Sequence, residues 1–541
     1  MANNRKTFMD RIDDFIGVFS PETAARRKYF RFISQKMLGS YRGADISRVR
    51  GGWITQGGSP DYDLLPDLPK LRERSRDLVR NDGIASGAID TIVTNIIGSG
   101  IRPQSRIDRE TLSIDEEFAD KLQKQMEKIW ARWVEYADAG NRLNFYEMEE
   151  LSERQRLVNG ESIIIPMRVT KSKRKRPYML ALQMVESDRL DTPTDLASDK
   201  NIRKGVEIGE EYGDPVAYYV RKTHPGDYMY TRNSGKTSNM FIRYPALNDL
   251  GDQNFFHLFH LKRSGQTRGE PFFAPVINLF KDRFDYMEAE ILAAKVAACF
   301  AIFIKKNNSY NVSLNRSQQD NGKRVEEIYP AMIEYLNDNE EIQSFNPNRP
   351  GGTFGLFMER ILRDMSAGMN IPYEVLAKDF SKSNYSNTRA ALLEARRFFM
   401  MQQQFVSNKL CQPVLVMLME EAYLRGELPI LDFYENRAAY VRTRWISPGW
   451  QWVDPQKEVA ASVLAVDNNL STLADEFATQ GQDWEEALEQ IAREKKKIKE
   501  LEETNEISMT SPDKPAARVD PEDQGNDGEE QATNTEGQPA Q

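Results

Sequence analysis

Several stretches of this sequence hold residue types whose spacing could do chemistry. Ser234-Gly235-Lys236-Thr237 has the ending of a phosphate-binding loop, but the glycine that the loop needs five positions before Gly235 is replaced by Tyr230. Without it the cradle of backbone N–H groups does not form, and the stretch reads as a hairpin turn. His257 and His260 stand three apart with Glu270 nearby, as metal ligands can. On a strand, however, their rings point to opposite faces and cannot share an ion, so structural histidines are expected. His224, beside Pro225, has no histidine near it with which to build a proton relay. Glu147, Glu149 and Glu150, and again Glu186, Asp188 and Asp191, are clusters that could hold magnesium for a nuclease. Arg154 and Arg189 lie beside these clusters, and ion pairs are the simpler account of both. The basic run Lys171 to Arg176, with Lys173, Arg174 and Lys175, is the best local candidate for phosphate contact, against the plainer reading of a solubilising hairpin tip. None of these groups assembles an active site. The expectation is a chain that is not an enzyme and has no cofactor or metal, with a metal-dependent nuclease as the alternative.

The elements that must position these residues can be read from hydrophobic period. The middle of the chain alternates like strands at Ser162–Met167, Tyr178–Val185, Val206–Ile208, Pro215–Arg221, Asp227–Tyr230, Met240–Tyr244 and Phe255–Phe259. On either side the period is helical. Ser113–Ala137 carries Trp130 and Trp133 on one face, Asn144–Asn159 follows, and an earlier helical pair breaks at Asn81-Asp82-Gly83. From Ala274 a long helix places Ile277, Phe280, Phe284, Met287 and Ile291 on one side. A polar interval then leads to a second helix, Phe354–Met369. After it comes DFSKSNYSNTRAALLEARRFFMMQQQ. Phe380 to Asn387 is rich in residues that hydrogen-bond their own backbone and so favour an exposed loop. From Thr388 apolar residues recur at Leu392, Ala395, Phe399, Val406 and Leu410, which predicts a long helix with a kink where Pro413 removes a donor. The fold class is therefore α+β, a β-rich module set among long helices.

Composition excludes several classes. The 541 residues carry a net charge of −9, and Pro512 to Gln541 alone holds eight acids against Lys514 and Arg518, or −6. The remaining −3 is near neutral for this length, which argues against a strong electrostatic grip on duplex DNA. The first fifty residues are locally basic, with eleven Lys and Arg against five acids. Cys299 and Cys411 cannot build a disulfide framework, so buried thiols are expected. The amino terminus lacks a secretory pattern, and the apolar run Ile291–Ile304 is too short to span a bilayer and contains Lys295, so no membrane is expected. The charged run EQIAREKKKIKELEE reads as a solvated helix face, and 506–541 as a disordered acidic tail.

The runs SRDLVRNDGIASGAIDTIVTNIIGSGI, LNFYEMEELSERQRLVNGE, LALQMVESDRLDTP, HLFHLKRSGQTRGEPFFAPVI, AEILAAKVAACF, IPYEVLAKDFSKSNYSNTRAALLEARR and WQWVDPQKE extend in order from Ser75 to Glu458. In that order they resemble the lambda-like portal proteins of tailed bacteriophages. The resemblance implies a portal fold with a β-rich wing, long stem helices, a clip, a kinked tunnel-loop helix and a helical crown. Mapped by similarity, 1–70 is an N-terminal basic arm and linker, 71–273 the wing, and 274–300 the first stem helix. The clip is then 301–353, the second stem helix 354–377 and the tunnel loop 378–387. A long kinked helix with a return to the wing covers 388–453, and crown helices cover 454–505. It further implies a closed ring, usually a dodecamer, at one capsid vertex of the virion. Duplex DNA would pass through it in packaging and ejection. Implied partners are the terminase large subunit, head completion or adaptor proteins, and the major capsid and scaffold proteins, with synthesis in the host cytoplasm. The tunnel loop would comprise Lys378, Phe380, Ser381, Lys382, Ser383, Asn384, Tyr385, Ser386 and Asn387. Lys378 and Lys382 would be its phosphate contacts.

Overall fold

A computed structural model of the chain describes residues 57–171, 174–227, 240–298, 302–306, 319–320, 323–324, 340–344, 354–450 and 454–505. The expectations for Ser234–Thr237, Lys173, Cys299, the basic first fifty residues and the tail from 506 lie outside these residues, as does most of 301–353. The chain divides into two compact units, Met1–Asp67 with Lys262–Gln266, and Leu68–Leu261 with Thr267–Gln541. In the first, Ser59 caps the short helix Pro60–Leu64, and Arg263 pairs with Asp63 at 2.7 Å.

The second unit holds the long helices α1 (Leu68–Asn81), α2 (Gly83–Ile96), α3 (Glu116–Val134), α4 (Phe145–Asn159), α5 (Ile277–Ala298), α6 (Phe354–Met369), α7 (Tyr385–Val406), α8 (Gln412–Leu424), α9 (Pro455–Asp467), α10 (Leu473–Thr479) and α11 (Trp484–Asn505). Among the described residues no helix is long and apolar enough to cross a membrane. The expected break at Asn81-Asp82-Gly83 is a shared cap. Asp82 leaves helical geometry and accepts the N–H groups of Ile84 and Ala85 at 2.9 and 3.1 Å. Its other oxygen pairs with Arg283 of α5, so one carboxylate starts α2 and anchors a helix two hundred residues later. The indoles of α3 do what their spacing predicts. Trp130 and Trp133 are buried against Phe145 at centroid distances of 5.0 and 5.2 Å, and the Trp133 N–H donates to the Leu180 carbonyl.

Strands β1 (Arg102–Ser105), β2 (Ser162–Arg168), β3 (Leu180–Val185), β4 (Ile202–Arg203), β5 (Val206–Ile208), β6 (Pro215–Arg221), β7 (Phe241–Pro245) and β8 (Phe256–Leu258) are all antiparallel to their partners. They form one sheet in the order β3-β2-β8 and a second in the order β4-β5-β6-β7, while β1 pairs with Thr443–Ile446. Register puts Ile163 and Ile165 of β2 and Val206, Tyr218 and Val220 of the second sheet into a small core, separate from the large one that gathers the helices. The outer edge of β3 is not left open: its Leu182 exchanges backbone bonds with Ala137 and Ala139, and Glu421 of α8 accepts the N–H groups of Met179 and Leu180. The strand expected from Asp227 is not formed at that residue, and 228–230 lie outside the described ones. The segments Ile302–Lys306 and Glu340–Ser344 pair antiparallel.

Between α4 and β2 the chain turns through Gly160 at a φ of +90°, and a Cβ there would fall 2.4 Å from the Glu270 carbonyl carbon. Gly269 faces it equally closely, with a hypothetical Cβ 2.0 Å from the Gly160 oxygen. This contact of two backbones buries Glu161 completely. Burial alone would raise its pKa, but Arg268, Arg72 and His257 outweigh it and hold the carboxyl well below the usual range. Arg268 Nη2 lies 2.5 Å from Oε1, Arg72 Nη2 2.7 Å from Oε1, and His257 Nε2 2.9 Å from Oε2, with the Gly269 N–H donating at 3.1 Å. Arg268 spends further donors on the carbonyls of Leu190 and Ser187.

Glu161→Gln leaves two buried guanidinium groups without their counter-charge and should lower stability near neutral pH by about 3–5 kcal/mol. Because the folded pKa lies below the unfolded value, this stabilisation is present above about pH 4.5 and is lost as pH falls through the folded value. Urea midpoints of variant and wild type should therefore diverge at neutral pH and converge on acidification. Equal midpoints at neutral pH would exclude the charge from this role.

Candidate functional site

The loop that the sequence places on the end of a long helix lies between the helix Tyr373–Ala377 and α7. Lys378 ends the first helix in the left-handed conformation at a φ of +54°. Its Nζ lies over α2 at Gly87 rather than on the loop tip. Asn384 begins the second: its side-chain oxygen accepts the Asn387 N–H at 2.8 Å. The loop is thus shorter than expected. Tyr385, Ser386 and Asn387 form the first turn of α7, because an asparagine in extended geometry is a stronger helix start than Thr388. Phe380, Ser381 and Lys382 are exposed and Ser383 half-buried, with Phe380 and Tyr385 offering exposed rings.

Charge and hydrogen bonding hold the loop at both ends. Asp379 Oδ1 accepts the N–H and hydroxyl of Ser381 at 3.0 and 2.6 Å, and its Oδ2 accepts the Tyr373 hydroxyl at 3.2 Å. These bonds keep the Asp379 carboxyl below its ordinary pKa. Lys382 Nζ lies 2.5 Å from Glu359 Oε2 of α6, and Arg363 occupies the other oxygen at 2.9 Å while its guanidinium stacks on Tyr373 at 4.7 Å. Lys382 and Arg363 lower the Glu359 pKa, and Glu359 raises that of Lys382, so both partners stay charged. Glu359 and Arg363 are partners of the loop that sequence reasoning missed. Their i, i+4 spacing is visible, but nothing local says that a lysine 23 positions on completes the group. On the far side, Lys457 lies over the Tyr385 ring at 5.8 Å and Glu458 approaches Arg389 at 4.0 Å, so the start of α9 meets the first turns of α7.

The kink expected at Pro413 takes the form of a π-turn, Ser407–Cys411, ahead of the proline, between α7 and α8. The Ser407 hydroxyl donates to the Gln403 carbonyl at 2.8 Å, and the Gln412 N–H reaches back to Ser407. Cys411, at the end of this turn, is buried and sits 3.1 Å from Glu149 Oε1, while Glu149 Oε2 accepts the Ile101 N–H at 3.0 Å. With no cation beside it among the described residues, burial pushes the Glu149 pKa up to about 8 and the Cys411 thiol well above its usual value. Glu149 is therefore a neutral carboxylic acid near physiological pH.

The other candidates resolve into structural partners. Arg176 donates to the Asp138 carbonyl at 2.6 Å and to Asn141 at 2.5 Å, closing the end of α3, and Arg174 stacks on Tyr136 at 4.3 Å. Among the described residues of that run only Lys171 and Lys175 are exposed without such an engagement, and the Arg176 donors are spent on partners within the chain. His257 faces Glu161, whereas His260 lies 2.7 Å from Gln402 and packs tilted against Phe405, so the two histidines share no ligand. The expected partners of the acid clusters are exchanged. Arg154 pairs with Asp90 and Arg189 caps the Arg221 carbonyl, while Glu147 completes the capping box of α4. Glu186, Asp188 and His224 do come within 4.8 Å of one another. Arg76 pairs with Asp188 and with Glu186 at 3.6 Å, and Arg72 Nη1 lies 3.7 Å from Asp188, so both carboxylates already have guanidinium partners. Asp191 is drawn away toward Lys204 and Arg221.

A family profile described as "Phage portal protein, lambda family" matches residues 47–403. Among curated relatives, the "Portal protein" of Escherichia phage N15 is 26% identical over 479 residues, covering 82% of this chain and 87% of that protein. "Portal protein B" of Escherichia phage lambda is 25% identical, covering 82% and 86%. The "Probable portal protein" of a Halomonas phage is 25% identical over 92% and 94%. A solved chain from the neck of an empty GTA particle, computed with C6 symmetry, aligns with a TM-score of 0.42 at 12% identity, over 75% of this chain and 93% of that one.

The neutral acid beside the π-turn makes a further expectation. Because the folded pKa of Glu149 is raised from 4.5 to about 8, its contribution to stability is full below about pH 4.5 and is lost as pH rises toward about 8. Glu149→Gln cannot ionise and keeps an acceptor for Ile101. It should match wild type in acid and become progressively more stable than wild type as pH approaches 8 in chemical denaturation. A constant difference across that range would contradict the buried neutral acid.

Proposed function

This chain belongs to the lambda family of phage portal proteins, and from that premise we propose that it assembles into a closed ring at one capsid vertex, with a central channel for duplex DNA in packaging and ejection. The observation that carries the reading is the apolar surface that one subunit leaves in water on two neighbouring helices. Phe284, Ile291 and Leu292 of α5, and Leu356 and Phe357 of α6, are exposed, Leu356 to 68%. Single exposed apolar residues are ordinary, but two adjacent helices studded with them fit a surface that identical neighbours bury around a rotation axis. In this reading α5 and α6 are the stem, the chain between them is the clip that docks the terminase large subunit and later the head completion proteins, and α9–α11 are the crown. The wing, built by α1–α4 and the two sheets, faces capsid and scaffold proteins.

The loop Lys378–Asn384 is placed on the channel wall by the same reading. A body of near-neutral charge suits that role, because a wall rich in lysine and arginine would hold a polyanion that must slide. No bond-making step is assigned to the protein; the reading is of a structural part. A subunit count of twelve is the expectation for the ring.

Mass measurement and images of the purified protein down its axis should give closed rings, and a stable monomer under all assembly conditions would overturn the reading. Deleting Ser381 to Ser383 while keeping the Asn384 cap should leave ring formation intact and impair DNA packaging or retention. Packaging at the wild-type level would remove the loop from the channel.

A further inference from the structure

We infer that Glu359 is an intramolecular stand-in for a DNA phosphate: it holds the Lys382 ammonium when the channel is empty and gives it up to a phosphodiester of passing duplex, so that the loop engages DNA by exchanging one anion for another. The inference rests on the portal reading and extends it to the residues that set the strength of contact.

The geometry carries it in three ways. The pair joins elements that can separate, since Glu359 is on helix α6 and Lys382 is in the exposed middle of the loop, between the points where Asp379 and Asn384 fix its ends. The two partners differ in access: Lys382 is 67% exposed and Glu359 is 18% exposed, so a large polyanion reaches the cation before it reaches the carboxylate. Release leaves no orphan, because Arg363 already holds Glu359 Oε1 at 2.9 Å and remains in place. A carboxylate that keeps one guanidinium partner does not suffer the penalty of an unpaired charge. An exposed ammonium–carboxylate pair is weak and easily screened, and so is its replacement by a phosphate. The net change per exchange is small, and the loop can pass from one phosphate to the next without a deep trap. Nearby exposed Phe380 offers apolar contact that does not depend on charge.

The test uses assembled rings of the full chain and a short blunt duplex as probe, with affinity measured over a salt series. Glu359→Gln frees Lys382 from its competitor, and should bind the duplex several-fold more tightly at low salt than wild type. Its log–log salt slope should steepen by about 0.9 for each lysine newly engaged. Lys382→Ala should bind more weakly than wild type, and the double variant should behave like Lys382→Ala. Arg363→Gln supplies a change of opposite sign: it leaves Lys382 as the sole partner of Glu359, makes release harder, and should weaken duplex binding. Ring mass is measured for each variant, so that a loss of assembly is read separately. Wild-type affinity and slope in Glu359→Gln, with Lys382→Ala weakened, would overturn the exchange and leave the portal reading standing. A gain that survives in the double variant would also overturn it, assigning the effect to Arg363. Absence of both rings and duplex binding in wild type would overturn the inference together with the reading beneath it.

Discussion

A carboxylate taken wholly out of water must find its compensation inside the fold, and the way Glu161 does so constrains most of the larger unit. Its partners come from the start of α1 (Arg72), from β8 (His257) and from the segment that leads to α5 (Arg268 and the Gly269 N–H). Arg268 in turn binds the carbonyls that follow β3. Replacing such a network by apolar residues can leave stability unchanged, whereas breaking it halfway is costly. What it enforces is therefore arrangement. No one of these segments can shift without stranding a charge, and the contact of Gly160 with Gly269 leaves no room for water to compensate. Burial and the two neighbouring guanidinium groups also lower the His257 pKa, so the imidazole stays neutral and serves as a hydrogen-bond donor.

The segments that meet there were separately visible in the sequence as family-like runs, but their convergence was not. Local signals served well where the cause is local: Asp82 between two helical patterns, the β-branched run Ser162–Met167, observed as Ser162–Arg168, and the bounds Phe354–Met369 of α6 follow from capping chemistry and period. They failed where a partner is distant. Arg154 and Arg189 lie beside acids in sequence and bind elsewhere, because the fold brings Asp90 and the Arg221 carbonyl to them from distant segments. The cation beside Asp188 is Arg76 and the acid beside Lys382 is Glu359, separated from them by 112 and 23 residues. In the candidate loop, composition located the exposed residues and overlooked that Asn384 caps the following helix.

The long rod from Tyr385 to Leu424 illustrates a different limit. Pro413 announces a lost N–H, yet the remedy is set by what packs around it. The chain inserts a π-turn before the proline, and Ser407 and Gln412 supply bonds that the altered ladder leaves open. The same turn brings Cys411 to Glu149, two groups that remain neutral only because both are buried. A neutral acid serves this position better than an ion would, since no counter-charge is near and a charged side chain at the bend would draw water into the large core. The rod is consequently continuous in function though not in helical type. It carries a fixed loop mount at one end and covers the edge of β3 through Glu421 at the other.

Buried Glu161 and exposed Glu359 put one kind of ion pair to opposite uses, and the difference is solvent. Glu161 is surrounded by donors that have no alternative, so its pairs are permanent parts of the frame. Glu359 faces a lysine that water and other anions can reach, so its pair is replaceable. In the proposed ring each loop would be repeated, and contacts that act together raise effective binding far above that of one contact. Strong single contacts would then sum to immobility. If the proposed channel is to hold DNA and also let it move, each loop has to contribute little, and a lysine already occupied by a carboxylate would be a physical way of keeping that contribution small.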